Sequence, residues 1–564
     1  MDSFTEIISK VVDARYGLQP VVQISRPDAA FGDVATNVAL QLAKPLARPP
    51  REIAEELAND LRRQADLAEV QVAGPGFINI RFSAAYAADM LARQWSPQYG
   101  ENTHGAGKTA VVEYPSPNMA KPYSVGHLRS GNQGWAAAQL LRASGWKVIT
   151  DNHLGDYGAP FGVWATGFEQ LSSHEALQKD GVYELGRVYI AMKKMLKDEQ
   201  EQGGHTLADT VQQWLLRLEA GDEQAVAYST TFNTISLEHI HSVMQRLGIA
   251  TDYEYGEAFF APQGKKAVQE LLQSGVATQN DDGSVIISLE DQGIDVPLLV
   301  QKSNGAALYA TTDLATILYR EKHWHPDKVV YCVGAEQQFY FTQLAALAKK
   351  LGITTELYHL SFGTIDQRNA DGSREKMSSR KGVVLMEALL DQAEAKARAV
   401  TEGRDVSADD IRRIALGAIK FSDFAADRRK NILFDWDTIF ALTGFSGPYV
   451  QYAAVRVNKI LRDNLAGEVP VVDYSYEPEK SIILKILEYP GVVFGAASEL
   501  EPHKVATYLY ELARDLNRYY EQTPVATPEV GDIEKAARLA LLAKVSHVFR
   551  HGLGLLGIEV PSRM

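Results

Sequence analysis

The stretch TAVVEYPSPNMAKPYSVGHLRS, Thr109 to Ser130, decides the fold. TAVVEY is a short, nearly continuous apolar run, as expected of a strand buried on both faces. A polar, proline-rich loop follows, then a helix predicted from about Gly126 to Ser144, then a second strand, WKVITD. Much later, DKVVYCVG, a helix over Phe341 to Leu351 and ELYHLSF repeat the strand–helix–strand order. Two such units imply an α/β fold with a parallel, doubly wound sheet, which binds ligand beyond the carboxyl ends of its strands. Neither unit carries G-x-G-x-x-G, which argues against a dinucleotide fold of the dehydrogenase kind.

Before this region the chain reads as a compact α+β domain. Phe4, Ile7, Ile8, Val11 and Val12 form a helical stripe, further helices are predicted over Asn37 to Leu46 and Arg51 to Leu67, and QVAGPGFINIRF reads as two strands around a Gly-Pro-Gly turn. Between the sheet halves, roughly Glu169 to Asp295 is polar and largely helical and reads as an insertion. Beyond about Ile439 the pattern is almost wholly helical. The expected domains are therefore 1–100, 108–438 and 439–564, in line with three cores for a chain of 564 residues.

One cysteine, Cys332, excludes an internal disulfide framework and a cysteine-rich zinc site, and suits a reducing cytoplasm. MDSFTEIISK lacks the basic and apolar segments of a signal peptide, and no apolar run approaches the roughly 20 residues of a membrane helix. The net charge of −14 argues against indiscriminate nucleic-acid binding, so any RNA contact must rest on local features.

Two segments carry chemistry. In SPNMAKPYSVGHLRS, Gly126 lets a ligand approach the backbone, and the helix start aims unpaired N–H groups at an anion. Lys121 and His127 can add charge-assisted donors to phosphate oxygens. In KMSSRKG, Lys376 to Gly382, three cations among Ser and Gly suit a phosphate-gripping loop. Either alone is a weak signal, since a capped β–α loop or a solvated basic loop looks similar.

Together, in this order on a split parallel sheet, they resemble the HIGH and KMSKS signatures of class I aminoacyl-tRNA synthetases. DNHLGDYGAPFG (Asp151 to Gly162), AIKFSDFAADRRKNILFDWD with SGPYVQYAAVRV, the ending LLGIEVPSRM, and FGDVATNVALQLAK with GPGFINI resemble the arginyl enzymes along essentially the whole chain outside the insertion. The resemblance implies a Rossmann-like catalytic domain, an N-terminal domain on the tRNA elbow and an all-α anticodon-binding domain. It implies ATP-dependent activation of arginine and transfer to tRNA(Arg), with Mg²⁺ accompanying ATP, no zinc, and a cytoplasmic monomer independent of membranes. By the same resemblance, Ser124, Gly126, His127, Lys121, Lys376, Met377, Ser378 and Ser379 bind ATP, with Lys121, Ser124, His127 and Lys376 promoting catalysis. Asp313 and Glu257 hold the guanidinium with Tyr309 against it, and Ser116, Asn118 and Gln337 hold the amino and carboxylate ends. Glu113 belongs to the same pocket and pairs with Lys121.

A planar, permanently charged guanidinium does call for fixed carboxylates and aromatic walls. The alternatives are that Asp313 caps a helix over Leu314 to Tyr319 and that Tyr309 belongs to the core. For RNA, strand alternation puts Phe77, Asn79 and Arg81 on one face, and Tyr449, Tyr452 and Arg456 share a helix face; the resemblance assigns these to the elbow and the anticodon. The chain departs from the family at Ser124, where the motif has histidine, at Ser379, where it has a second lysine, and at Ala258, where serine is usual. Ser124 can still bond a phosphate oxygen or ribose but carries no charge, which bears on the rate of adenylation more than on substrate identity.

Overall fold

Four parallel strands, in the order Glu356–His359, Lys328–Tyr331, Thr109–Glu113, Lys147–Asp151, build the sheet that the repeated units predict. The computed structural model describes all residues except 1, 26, 28, 29, 65, 66, 120, 369–371, 378–383 and 465–475. From Thr109–Glu113 the chain winds to one side, and from Lys328–Tyr331 to the other, so the switch point lies between these two strands. Their register sets Tyr331, Glu113 and Asp151 side by side at the carboxyl edge. Val111, Val112, Val329 and Val330 are buried on both faces, as the unbroken apolar runs require. The predicted helix after the proline-rich loop starts as a 3₁₀ turn, Val125–His127, and continues as Leu128–Ala143.

These strands belong to a larger unit, Thr103–Pro448 with Ala496–His503 and Gly554–Met564. The stretch expected as a largely helical insertion supplies helices His174–Glu201, Thr206–Glu219 and Glu223–Arg246, then Glu257–Gln273. It also contains an antiparallel sheet, Thr278–Gln279, Val285–Leu289 and Ile294–Gln301, that the sequence reading missed. Val285, Ile287, Leu298 and Val300 of that sheet share one core with Val111, Val329 and Leu314. This sheet completes the parallel-sheet core rather than standing apart from it. A further small sheet joins Arg374–Lys376, Ile365–Arg368 and Ile432–Phe434 and carries Lys376 at a strand end.

The second unit comprises Met1–Asn102, Tyr449–Gly495 and Lys504–Leu553. Its antiparallel sheet runs Ile24–Ser25, Val34–Thr36, Phe77–Phe82, Leu67–Ala73. The helix expected to reach Leu67 is Pro50–Leu61, because Leu67 is already paired with Phe82 in the sheet. Ile78, Ile80 and Phe82 point to the core and Phe77 and Arg81 to the other face, as alternation predicts. Helix Lys480–Glu499 is long and apolar enough to cross a membrane, a property the sequence reading did not register. Ile482, Ile483, Ile486, Leu487 and Val493 bury it instead in this unit's core, with Lys480 paired to Asp33 at 2.8 Å.

Candidate active site

A cavity of about 580 Å³ opens at the switch point of the parallel sheet. Pro115 and Ser116 line it from the loop after Thr109–Glu113, and Cys332, Val333 and Gly334 from the loop after Lys328–Tyr331. Loop residues 117–119 are stitched to the next crossover: Met119 N–H donates to the Gly155 carbonyl at 3.2 Å and Gly155 N–H to that of Pro117. Any side chain at Gly155 would collide with Asn118 Oδ1, 2.3 Å from an ideal Cβ, so glycine there seats Asn118 at the cavity wall. Ser116 Oγ is buried with no hydrogen-bond partner, a polar atom left for a ligand.

One end of the cavity is acidic. Helices Glu257–Gln273 and Tyr309–Trp324 pack closely because Gly264 lies against the Thr311 carbonyl, 2.3 Å from an ideal Cβ. That contact brings Glu257, at the first helix's start, toward Asp313. Burial, then Asp313 and Asp156, push Glu257 up to about 8, and burial chiefly raises Asp313 to about 6. His153 and a hydrogen bond from the Tyr340 hydroxyl oppose the shift of Asp313. Burial also raises Asp156, which accepts the Ala258 N–H at 2.8 Å. Asp313 lies inside its helix, whose N-cap is Leu308, so it is no cap. Tyr309 is 67 % exposed at the rim and is no core residue.

The other end joins the two signature segments. Val125 N–H donates to the Val384 carbonyl at 3.0 Å and Met386 N–H to that of Tyr123 at 3.0 Å, around a Ser124–Leu385 bridge. Gly126, His127, Lys376 and Met377 all line the cavity. The Ser124 N–H donates to His127 Nδ1 at 3.3 Å, which leaves Nε2 as the donor on the ring. Burial pushes His127 down to about 4, so it offers a neutral donor rather than the charged one expected. Ser378 and Ser379 lie outside the described residues.

Comparison with known proteins bears on this geometry directly. The class I tRNA synthetase (R) catalytic domain matches residues 91–436, well over half of the chain. The chain belongs to the arginyl-tRNA synthetase family. The arginyl tRNA synthetase N-terminal domain matches residues 2–82 and the DALR anticodon binding domain residues 450–564. Arginine–tRNA ligases of Levilactobacillus brevis and Azotobacter vinelandii are 35% and 34% identical, over 96% and 97% of this chain and 95% and 96% of theirs. The structure of Thermus thermophilus arginyl-tRNA synthetase superposes with a TM-score of 0.83 at 23% identity, covering 100% of both chains. That of Plasmodium falciparum superposes at 0.80 and 21% identity, covering 100% of this chain and 99% of that one.

Against the expectations for an arginyl-tRNA synthetase, Glu113, Ser116, Asn118, Glu257, Tyr309, Asp313 and Gln337 all border the one cavity. Glu113 does not pair with Lys121. It takes the Arg320 guanidinium at 2.7 Å, because Arg320 projects from the neighbouring helix straight at the strand end. Lys121 is exposed, 6.0 Å from the Tyr189 ring centre, and reaches the site through its field on His127. Ser124 is buried and spends its backbone on Leu385 and its neighbour His127. The residues that sequence reasoning missed are His153, Asp156, Tyr340, Arg320 and Arg129. The first two lay in the quoted segment DNHLGDYG, and Arg320 follows Tyr309 and Asp313 on one helix face. Arg129 is buried, paired with Asp423 at 2.8 Å, and donates to the carbonyls of Gly363 and Lys430.

In the other unit, Phe77 is exposed and Arg81 half-buried beside Glu69, but Asn79 is only 7 % exposed, so the sheet withholds it from solvent. Tyr452 and Arg456 are exposed on the Gly447–Asn464 helix, the guanidinium 4.3 Å from the Tyr520 ring centre. Tyr449 is half-buried and accepts a hydrogen bond from Asn517 at 3.0 Å, which places it nearer the core than the expected helix-face stripe implies.

Proposed function

We propose that the chain joins L-arginine to ATP as arginyl-adenylate, releasing pyrophosphate, and transfers the arginyl group to tRNA(Arg), releasing AMP. The observation that carries this reading is that two buried carboxylates, Glu257 and Asp313, with Tyr309, line the same cavity as His127 and Lys376. Carboxylates crowded and desolvated in this way gain most from a cation that cannot lose its proton. A planar guanidinium between Glu257 and Asp313, with Tyr309 across its face, fits. Glu113, Ser116, Asn118 and Gln337 then receive the ammonium and carboxylate ends.

The chemistry needs positioning more than a protein nucleophile. An arginine carboxylate oxygen attacks the α-phosphorus of ATP, and the bond to pyrophosphate breaks with its electron pair leaving on pyrophosphate. Gly126 lets the nucleotide approach the backbone, His127 donates from Nε2, and Lys376 and Met377, with the expected contacts Ser378 and Ser379, bind the phosphates. Lys121 adds a long-range positive field. A ribose hydroxyl of the tRNA then attacks the activated carbonyl carbon and AMP departs.

Magnesium accompanying the nucleotide would supply charge neutralisation at the phosphates. Phosphate oxygens and water would be its main ligands. Exposed Phe77, with Arg81 on the same strand face, suits the tRNA elbow, while Asn79, withheld from solvent, does not, and Tyr452, Arg456 and Tyr449 suit the anticodon. A cytoplasmic monomer completes the reading. Purified chain supplied with ATP, Mg²⁺, bulk tRNA and each amino acid in turn should label tRNA with arginine alone. Labelling by a different amino acid, or none at all, overturns the proposal.

A further inference from the structure

We infer that Arg320, which takes the pairing with Glu113 expected of Lys121, is the positioning residue that aims Glu113 at the α-ammonium of the amino-acid substrate. The inference rests on the reading of Glu113 as an arginine contact. Glu113 and Asp151 end adjacent parallel strands and are register partners, so two carboxylates, both nearly sealed from solvent, stand side by side. Without a counter-charge that pair is strongly unfavourable. Arg320, 1 % exposed, meets Glu113 Oε2 and Asp151 Oδ2, each at 2.7 Å, and its guanidinium lies 5.6 Å from the ring centre of Tyr331, the residue on Glu113's other side.

The use of donors separates positioning from plain structural pairing. A guanidinium carries five N–H donors, and buried donors are normally satisfied. Here one nitrogen, Nη2, serves both carboxylates, while Nε and Nη1 are buried with no hydrogen-bond partner. Both carboxylates therefore hang on one nitrogen, which fixes the place of Glu113 relative to Asp151. Glu113 borders the cavity, whereas Arg320 stays behind it. The helix that carries Arg320 also carries Asp313 and Tyr309, so one rigid element sets the contacts for both ends of the substrate. Lys121, free of Glu113, is left to act on the phosphates.

The test uses calorimetric binding to the full chain and two fragments of arginine. Agmatine keeps the amine and lacks the carboxylate; 5-guanidinopentanoate keeps the carboxylate and lacks the amine. In Arg320→Lys, agmatine should weaken on the order of tenfold or more, the worth of a charged hydrogen bond, while 5-guanidinopentanoate is unchanged. Should Arg320→Lys fail to fold by circular dichroism, the charge-balanced pair Arg320→Gln with Asp151→Asn makes the same measurement. Equal weakening of both fragments, or of neither, overturns the inference. Glu113→Gln distinguishes the underlying reading. If it leaves agmatine untouched, Glu113 is no ammonium contact; if it weakens agmatine and the Arg320 variants do not, Arg320 does not position it.

Discussion

Val125 donates its backbone N–H to the carbonyl oxygen of Val384 at 3.0 Å. The two residues come from opposite halves of the chain, one within the SVGH turn and the other just past the KMSSRKG loop. With Met386 bonded back to Tyr123, the contact ties residues 384–386 to the helix start that borders the cavity. At the start of KMSSRKG, Met377 N–H donates to the Ile365 carbonyl at 2.9 Å. The described residues on either side of 378–383 therefore rest on the cavity's own walls.

Arginine binding should depend on pH through the acidic slot. Glu257 is raised to about 8 and Asp313 to about 6, and a guanidinium binds their ionised forms. The KM for arginine should rise as pH falls from above 8 to below 6, with the KM for ATP far less affected. Arginine binding near pH 7 should release protons, visible as a calorimetric enthalpy that varies with the buffer's ionisation heat. For the arginine-free protein the sign is opposite. Carboxylates raised on folding lend stability below their unfolded values and lose it as pH rises through the folded ones. Glu257→Gln should therefore raise the melting temperature of the arginine-free protein at pH 9 and not at pH 4.

His127, lowered to about 4, should stay neutral throughout the working range. The rate of ATP–pyrophosphate exchange should show no ionisation near the usual histidine value of about 6.5. Removing the donor in His127→Ala should slow exchange on the order of 10²-fold or more, as for other donors aimed at developing charge. A wild-type profile that collapses below pH 6.5, with the arginine carboxylates saturated, would contradict a neutral imidazole.

Gly264→Ala should loosen the acidic slot without touching it. Its Cβ would lie 2.3 Å from the Thr311 carbonyl oxygen, a backbone atom that cannot move aside cheaply. Overpacking of this kind costs about 1–3 kcal/mol. Thermal melting should show that loss, and the KM for arginine should rise with it because the two helices carry Glu257 and Asp313.

Asp423→Ala should destabilise the larger unit by about 3–5 kcal/mol, since it leaves the buried Arg129 charge unpaired. Asn132 and Gln133 lose an acceptor in the same step. Arg129 also holds the carbonyls of Gly363 and Lys430, beside the strands that lead to Lys376 and Ile432–Phe434. The urea midpoint should fall, and the KM for ATP should rise more than that for arginine.

Tyr452→Ala should raise the KM for tRNA and leave arginine binding, measured by calorimetry without tRNA, unchanged. Loss of one base stack costs on the order of 1–3 kcal/mol, or roughly tenfold or more in KM. An unchanged KM for tRNA would remove this exposed ring from the RNA-binding surface.

Much of the architecture was legible because it is written in local patterns. TAVVE and KVVY are apolar without interruption, and only a strand covered on both faces can use such a run. The C-terminal helices followed from their apolar period. The sheet Thr278–Gln301 escaped notice because its inward residues, Val285, Ile287, Leu298 and Val300, are few and bury against Val111 and Val329, far away in the chain. The seven residues expected around arginine do meet in one cavity, yet the Glu113–Lys121 pair does not form. Lys121 is nearer in sequence, but Arg320 enters from a packed helix with a rigid aim.

Residue types and their spacing determined by themselves the strand–helix–strand units of the parallel sheet and the two phosphate-seeking segments, because these are properties of short windows of chain. The carboxylates for a guanidinium were assigned through the family resemblance. Tertiary structure alone decided which charges share a wall. Glu257 and Asp313 acquire their shifts, His127 its neutrality and Glu113 its partner only when distant segments exclude water around them. Electrostatic energy depends on separation and solvent access, and neither is a local property of the sequence.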